Sequence, residues 1–243
     1  MSFNIGGIVI TDDKEWGCKH SRLPTSGNIK SCLITVNDLR CIAQKLTESV
    51  LDTSWMLSMD KGTKRSYSYT ANDTAEALVA IFEKFQDSNE IGSEFGEVMI
   101  SIGSSRALEI VFEHKALPIA EIWKPQRKQN EGFDFHTECP ENLINFGEAK
   151  YSGSINSHTK AIPQIERFIN EEKHFRDRVH LKNLASAESI NNLDDDNFGV
   201  IAAFSINSDN HESIMDNALN SICNSSLAKG ATAIYLVGVI CSA

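Results

Sequence analysis

The chain has 243 residues, enough for one generous domain or for a core carrying an N-terminal extension. Its 41% hydrophobic and 23% charged residues are ordinary for a globular protein, and a net charge of −10 argues against long-range attraction of the whole molecule to nucleic acid. No apolar run approaches the roughly 18–20 residues that span a bilayer, so no membrane association is expected.

The start, "MSFNIGGIVITDDKEWG", lacks a basic segment followed by a long apolar one, so no signal peptide is predicted. Six scattered cysteines without a Cys-x-x-Cys pair read as reduced apolar fillers, which points to a cytoplasmic protein. Residues 1–34 are rich in Gly, Ser, Lys and Asp and read as an irregular edge. Helical periodicity begins with "NDLRCIAQKLTESVL", where Leu39, Ile42, Leu46 and Val50 line one face. The polar stretch 60–71 predicts a surface loop. In "NDTAEALVAIFEKF", Asp73 and Glu76 resemble a capping box ahead of a stripe of Leu78, Ile81, Phe82 and Phe85.

A third helix is predicted for "NEIGSEFGEVMISI", with Ile91, Phe95, Val98, Met99 and Ile102 in one arc, Glu94 at its edge and Glu97 further round. Four short segments follow. "LEIVFEH" reads as a strand or a helix end, and "LPIAEIWK", "EGFDFHT" and "NLINFGEAKYS" as strands. A helix is expected over 158–176, with Ile162, Ile165, Phe168 and Ile169 inward. "FGVIAAFSI" and "TAIYLVGVIC" read as strands covered on both faces, separated by a helix that starts at Ser208 or Asn210 and ends at Gly230. The order predicts an α/β fold with a mixed sheet flanked by helices.

The chemistry concentrates in "GFDFHTECPENLINFGEAK", where Asp134, Glu148 and Lys150 interrupt apolar strands. Burying an unpaired charge is costly, so these groups should partner one another or a metal. Residues two apart on a strand share a face, so Glu148 and Lys150 point together and a neighbouring strand can bring Asp134 beside them. Two carboxylates with the Ala149 carbonyl make a set of hard oxygen ligands suited to Mg2+, with Mn2+ as a substitute. A lysine beside such an ion can hold or deprotonate a water and offset phosphate charge, as metal-assisted phosphodiester hydrolysis requires. A buried ion pair between Lys150 and the carboxylates satisfies the same spacing.

The pattern of "GFD", thirteen residues and "EAK" resembles the active-site motif of the PD-(D/E)xK nuclease superfamily. That resemblance implies a restriction-endonuclease-like core over 87–243 behind an extension over 1–86. It gives metal-ligand roles to Asp134 and Glu148 and the catalytic lysine role to Lys150. It also implies a glutamate from the first core helix, Glu94 or Glu97, and a glutamine from the helix after the lysine, matched by Gln164 in "AIPQIERF". Within the superfamily, "GSEFGEVM", "NEGFDFH", "INFGEAKYS", "KAIPQIERF" and "AIYLVGVI" are most similar to the HamA effector nucleases of Hachiman anti-phage systems. The implied partners are DNA and a superfamily 2 helicase, HamB, that holds the effector inactive until phage DNA is sensed.

Other residues have secondary roles in this reading. His136, two beyond Asp134, can share its face and touch the metal or phosphate. Lys124, Arg127 and Lys128 in "WKPQRK" can grip a DNA backbone, and Arg167, Lys173, Arg176 and Arg178 can extend the track. Ser157 and His158 have no visible acid partner for a hydrolase triad. With no phosphate-binding glycine motif, the chain itself should use neither ATP nor a dinucleotide. The alternatives are a restriction or recombination nuclease of the same superfamily, and a non-catalytic DNA- or partner-binding subunit that keeps the fold.

Overall fold

The computed structural model describes residues 9–25, 27–88, 90–124 and 132–241. Its strands are β1 (Val9–Asp13), β2 (Cys18–Leu23), β3 (Ile29–Val36), β4 (Lys115–Ala116), β5 (Phe135–Glu138), β6 (Ile144–Lys150), β7 (Gly199–Ile206) and β8 (Ala233–Cys241). They form one eight-stranded mixed sheet in the order β1-β2-β3-β8-β7-β6-β5-β4. The four central strands, β3, β8, β7 and β6, run parallel, and antiparallel wings flank them. The fold is therefore α/β. The N-terminal stretch is not an irregular edge over 9–36: it supplies three strands, and β3 sits mid-sheet against β8. "IKSCLITV" puts Ile29, Ser31, Cys32, Ile34 and Val36 in the interior, whereas β1 is almost wholly exposed and carries little apolar signal.

The helices are α1 (Leu39–Leu51), α2 (Lys61–Ser88), α3 (Ser93–Phe112), α4 (Ala120–Trp123), α5 (His158–Asn170), α6 (Lys173–Leu181), α7 (Ala187–Asp194), α8 (His211–Cys223) and α9 (Leu227–Gly230). One sheet face packs on α1, α2 and α3, through Ile34, Ala149, Ala203 and Val237 on the strands. The other packs on α5 and α8, through Phe146, Ala202, Phe204 and Leu236.

Several predicted elements are corrected. The loop expected over 60–71 is the first part of α2. Asp60 accepts hydrogen bonds from the N–H groups of Gly62 (2.8 Å) and Thr63 (3.0 Å), and Tyr67 and Ala71 extend the buried stripe backwards. The expected cap at Asp73 thus lies inside a helix. Of the two readings of "LEIVFEH", strand or helix end, the second holds: it is the end of α3, which stops at Glu113 in a left-handed conformation. "LPIAEIWK" is not a strand: after Pro118 it turns into α4. The helix over 158–176 is two helices, α5 and α6, broken where Glu172 takes a positive φ of 53°. The helix expected to run to Gly230 is likewise two, α8, capped by the Asn210 side chain, and α9. No helix among the described residues is long and apolar enough to cross a membrane.

Candidate active site

The site lies where β5 and β6 part. Their pairing ends at Phe135 and Gly147, and Asp134 N–H still reaches the Gly147 carbonyl at 2.9 Å. There the side chain takes over from the backbone. Asp134 Oδ2 accepts the Ala149 N–H at 2.8 Å, which fixes one carboxylate oxygen at the mouth of the opening. N–H and C=O groups of one strand residue point to the same side, so the Ala149 carbonyl faces this mouth too.

Glu148 and Lys150 project from β6 toward α5, opposite to Ala149. Lys150 Nζ lies 2.6 Å from Glu148 Oε1, the carboxylate being 0% and the lysine 18% exposed. The Gln164 amide, on the flank of α5, donates to that same oxygen. Glu148 Oε2 is buried without a hydrogen-bond partner. From the opposite face α3 brings Glu97, half-buried, into electrostatic reach of Asp134, Glu148 and Lys150. Glu94 is exposed, one turn earlier on the same helix. A glycine explains the approach of α3: a Cβ on Gly96 would stand 2.2–2.6 Å from the Tyr151 ring, so only the bare backbone lets the residue before Glu97 lie against the residue after Lys150.

A fourth carboxylate, Glu121 on α4, joins the cluster. Its Oε2 is buried without a partner, and it interacts electrostatically with Asp134 and Glu97. The sequence carried the signal, a lone acid in an apolar segment, but the segment read as a strand and not as the short helix α4.

Burial pushes the Glu121 carboxyl up to about 8, and Asp134 adds to the effect. Asp134 itself rises to about 6 through burial, with Lys150 pulling against it. Glu148 is held well above the usual carboxylate range, first by burial and then by Asp134. Burial opposes the Lys150 charge, but Glu148 and Asp134 more than offset it, so the lysine is held above its ordinary value as an ammonium. The carboxyls of the cluster therefore hold their protons more tightly than free ones, chiefly because they are buried. Among the described residues no three His, Cys, Asp or Glu groups form a cage for a metal ion. The donor set fits an ion that keeps most of its own waters and takes one or two carboxylates, as Mg2+ does. Asp134, Glu148 and the Ala149 carbonyl would hold it.

The remaining predicted residues sit elsewhere. His136 does not face the opening. It is fully buried among Trp123, Phe133 and Phe146, and its Nε2 lies 3.2 Å from Asp177 Oδ2. Lys124 is turned inward, its side chain 16% exposed, with Nζ at 2.7 Å from Asp177 Oδ2 and 3.1 Å from the Phe133 carbonyl. Arg127 and Lys128 lie outside the described residues. Arg178 pairs with Asp194, and Lys173 is buried against Glu171 (2.9 Å) and the Phe168 ring. Arg167 lies over that same ring at 4.9 Å, and Arg176 is on the surface of α6. Ser157 and Ser205 share a buried hydrogen bond, with His158 against Phe204.

A cavity of about 420 Å3 between α1, α3 and β4 is lined by Trp16, Trp55 and Arg106 but by none of the clustered carboxylates. No family model, curated protein or solved structure matches the chain.

Proposed function

We propose that this chain is a metal-dependent nuclease of the PD-(D/E)xK type that hydrolyses DNA phosphodiester bonds. The observation that carries the reading is the Glu148–Lys150 pair beside Asp134: a fully buried carboxylate keeps one oxygen without a partner at the point where two strands open. A bound Mg2+ would polarise the phosphate and acidify an attached water. Asp134 and Glu148 orient their oxygens toward that position, one through the Ala149 amide and the other through Gln164 and Lys150. Lys150, held as an ammonium, donates rather than accepts protons. It orients a water or steadies a phosphate oxygen with the N–H groups that Glu148 leaves over.

The acidic chain and the inward commitment of Lys124 favour a nuclease that receives DNA from a partner. Together with the similarity of the motif segments to HamA, this supports an anti-phage effector under the control of a superfamily 2 helicase.

The test is cleavage of plasmid, linear duplex and single-stranded DNA by the purified chain, alone and with any helicase that co-purifies with it. Whether a helicase co-purifies is scored first, and the assay is run with Mg2+, with chelator and with Lys150→Ala. Mg2+-dependent cutting lost on substitution supports the proposal; cutting that survives Lys150→Ala overturns it.

A further inference from the structure

Asp134 lies just outside its strand, and a second set of contacts surrounds it. Asp177, on α6, is distant in sequence, yet its single oxygen Oδ2 takes Lys124 Nζ at 2.7 Å and His136 Nε2 at 3.2 Å. Lys124 Nζ also donates to the carbonyl of Phe133, the residue immediately before Asp134. His136 is the second residue after it. The ion pair thus grips the chain on both sides of Asp134. Residue 132 also belongs to this arrangement: a Cβ on Gly132 would stand 2.8 Å from Lys124 Nζ, so glycine leaves the space through which the ammonium reaches the Phe133 carbonyl. The three side chains are enclosed, at 0%, 8% and 16% exposure for His136, Asp177 and Lys124. None of them touches Glu148 or Lys150 among the contacts described.

We infer that Asp177 is a positioning residue for Asp134: through Lys124 and His136 it fixes the backbone before and after residue 134, and so aims the Asp134 carboxylate at the Ala149 amide and the mouth of the site. The inference rests on the proposed role of Asp134 as a metal ligand. It also gives Lys124 a part that needs no contact with DNA. The ammonium sits near Asp134 and Glu121, where an untethered cation would compete for their oxygens. Asp177 and the Phe133 carbonyl hold it off them.

The full-length chain allows two independent readouts. The first is amide hydrogen exchange at Ala149, which reports whether Asp134 Oδ2 still accepts its N–H. The second is Mn2+ affinity by calorimetry. In Asp177→Asn, exchange at Ala149 should rise by about ten-fold or more while Val200 and Ile201 in β7 keep their protection, and Mn2+ affinity should fall by about ten-fold, the usual scale for groups that orient a ligand.

Lys124→Met separates positioning from simple charge. Removing a nearby positive charge alone would tighten Mn2+ binding; loss of positioning weakens it. Gly132→Ala retains every charge and displaces the ammonium, and it carries the same two readouts if Asp177→Asn does not fold. Unchanged exchange at Ala149 in folded Asp177→Asn or Gly132→Ala, or tighter Mn2+ binding in Lys124→Met, overturns the inference. A wild-type chain that takes up no Mn2+ would instead remove the proposed function, and exchange at Ala149 would still decide the role of Asp177.

Discussion

Replacing Gly96 by alanine sets two opposing terms against each other. Inside a helix alanine is better than glycine by about 1 kcal/mol. The new Cβ, however, would stand 2.2, 2.4 and 2.6 Å from Cγ, Cδ1 and Cδ2 of Tyr151. To reach ordinary contact the ring or the helix must withdraw by roughly 1 Å, and overpacking of this kind costs about 1–3 kcal/mol. The expected net effect is a loss of about 1 kcal/mol, which for a chain of this size lowers Tm by about 2–4 °C. The loss of function should exceed the loss of stability, because Gly96 and Tyr151 are the direct neighbours of Glu97 and Lys150 and their separation widens the site. Urea unfolding followed by tryptophan fluorescence gives the first quantity, and the plasmid cleavage rate in Mg2+ gives the second. Adding Tyr151→Ala should relieve the clash and restore the distance, giving a coupling energy of the opposite sign to the Gly96→Ala cost. A Gly96→Ala chain that gains the full helix-propensity term and cuts DNA at the wild-type rate would refute the reasoning.

The pH dependence of stability without metal should follow from the same carboxylates. A carboxyl raised in the folded state binds protons more tightly there, so its contribution is lost as pH rises through the folded value. Glu121, raised from 4.5 to about 8, and Glu148, raised well above 4.5, therefore contribute a loss of stability to the chelator-treated chain that begins above pH 4.5 and, for Glu121, ends as pH passes about 8. Below about pH 6.5 the slope reverses, because His20, His114, His136 and His174 are buried with lowered values and resist protonation only in the folded state. Melting curves in chelator should peak near neutrality, and Mn2+ should flatten the alkaline fall; an alkaline slope indifferent to Mn2+ would count against metal binding in the cluster. Gln164→Leu removes the amide that holds Glu148 Oε1 and should lower cleavage by about 10–100-fold with little change in Tm, since Gln164 lies on the flank of α5. Wild-type cleavage by that variant would place Gln164 outside the machinery.

Asp134, Glu148 and Lys150 were legible because each is an ion in or directly beside an apolar strand, and the period of two puts Glu148 and Lys150 on one face. The strands β7 and β8 were legible as continuous apolar runs, and β5 and β6 as the short apolar segments around these ions. Glu121 carries the identical signal, yet its segment becomes a helix after Pro118, and apolar runs of that length do not distinguish the two. The choice of Glu97 over Glu94 depends on the contact of Gly96 with Tyr151, a long-range packing fact that no window of sequence contains. The first turns of α2 were hidden because a helix with one narrow buried stripe, here Tyr67 and Ala71, reads as polar. Likewise the Lys124–Asp177 pair joins residues 53 apart, and from composition Lys124 looked like a surface cation.

The place of β3 has a consequence for the order in which the molecule is assembled. Ile29 lies beside Ile234 and Val36 beside Cys241, and the Asn28 amide reaches the Ala231 carbonyl 203 residues away. A ribosome must therefore release nearly the whole of this segment before β3 can find its neighbour β8. Until then β3 and β7 both offer open edges, and the antiparallel meander of β1, β2 and β3 is not joined to the rest of the sheet. Closing such distant contacts is entropically slow. The nascent chain thus carries two adhesive edges until its last strand arrives, and that strand is what makes the sheet continuous.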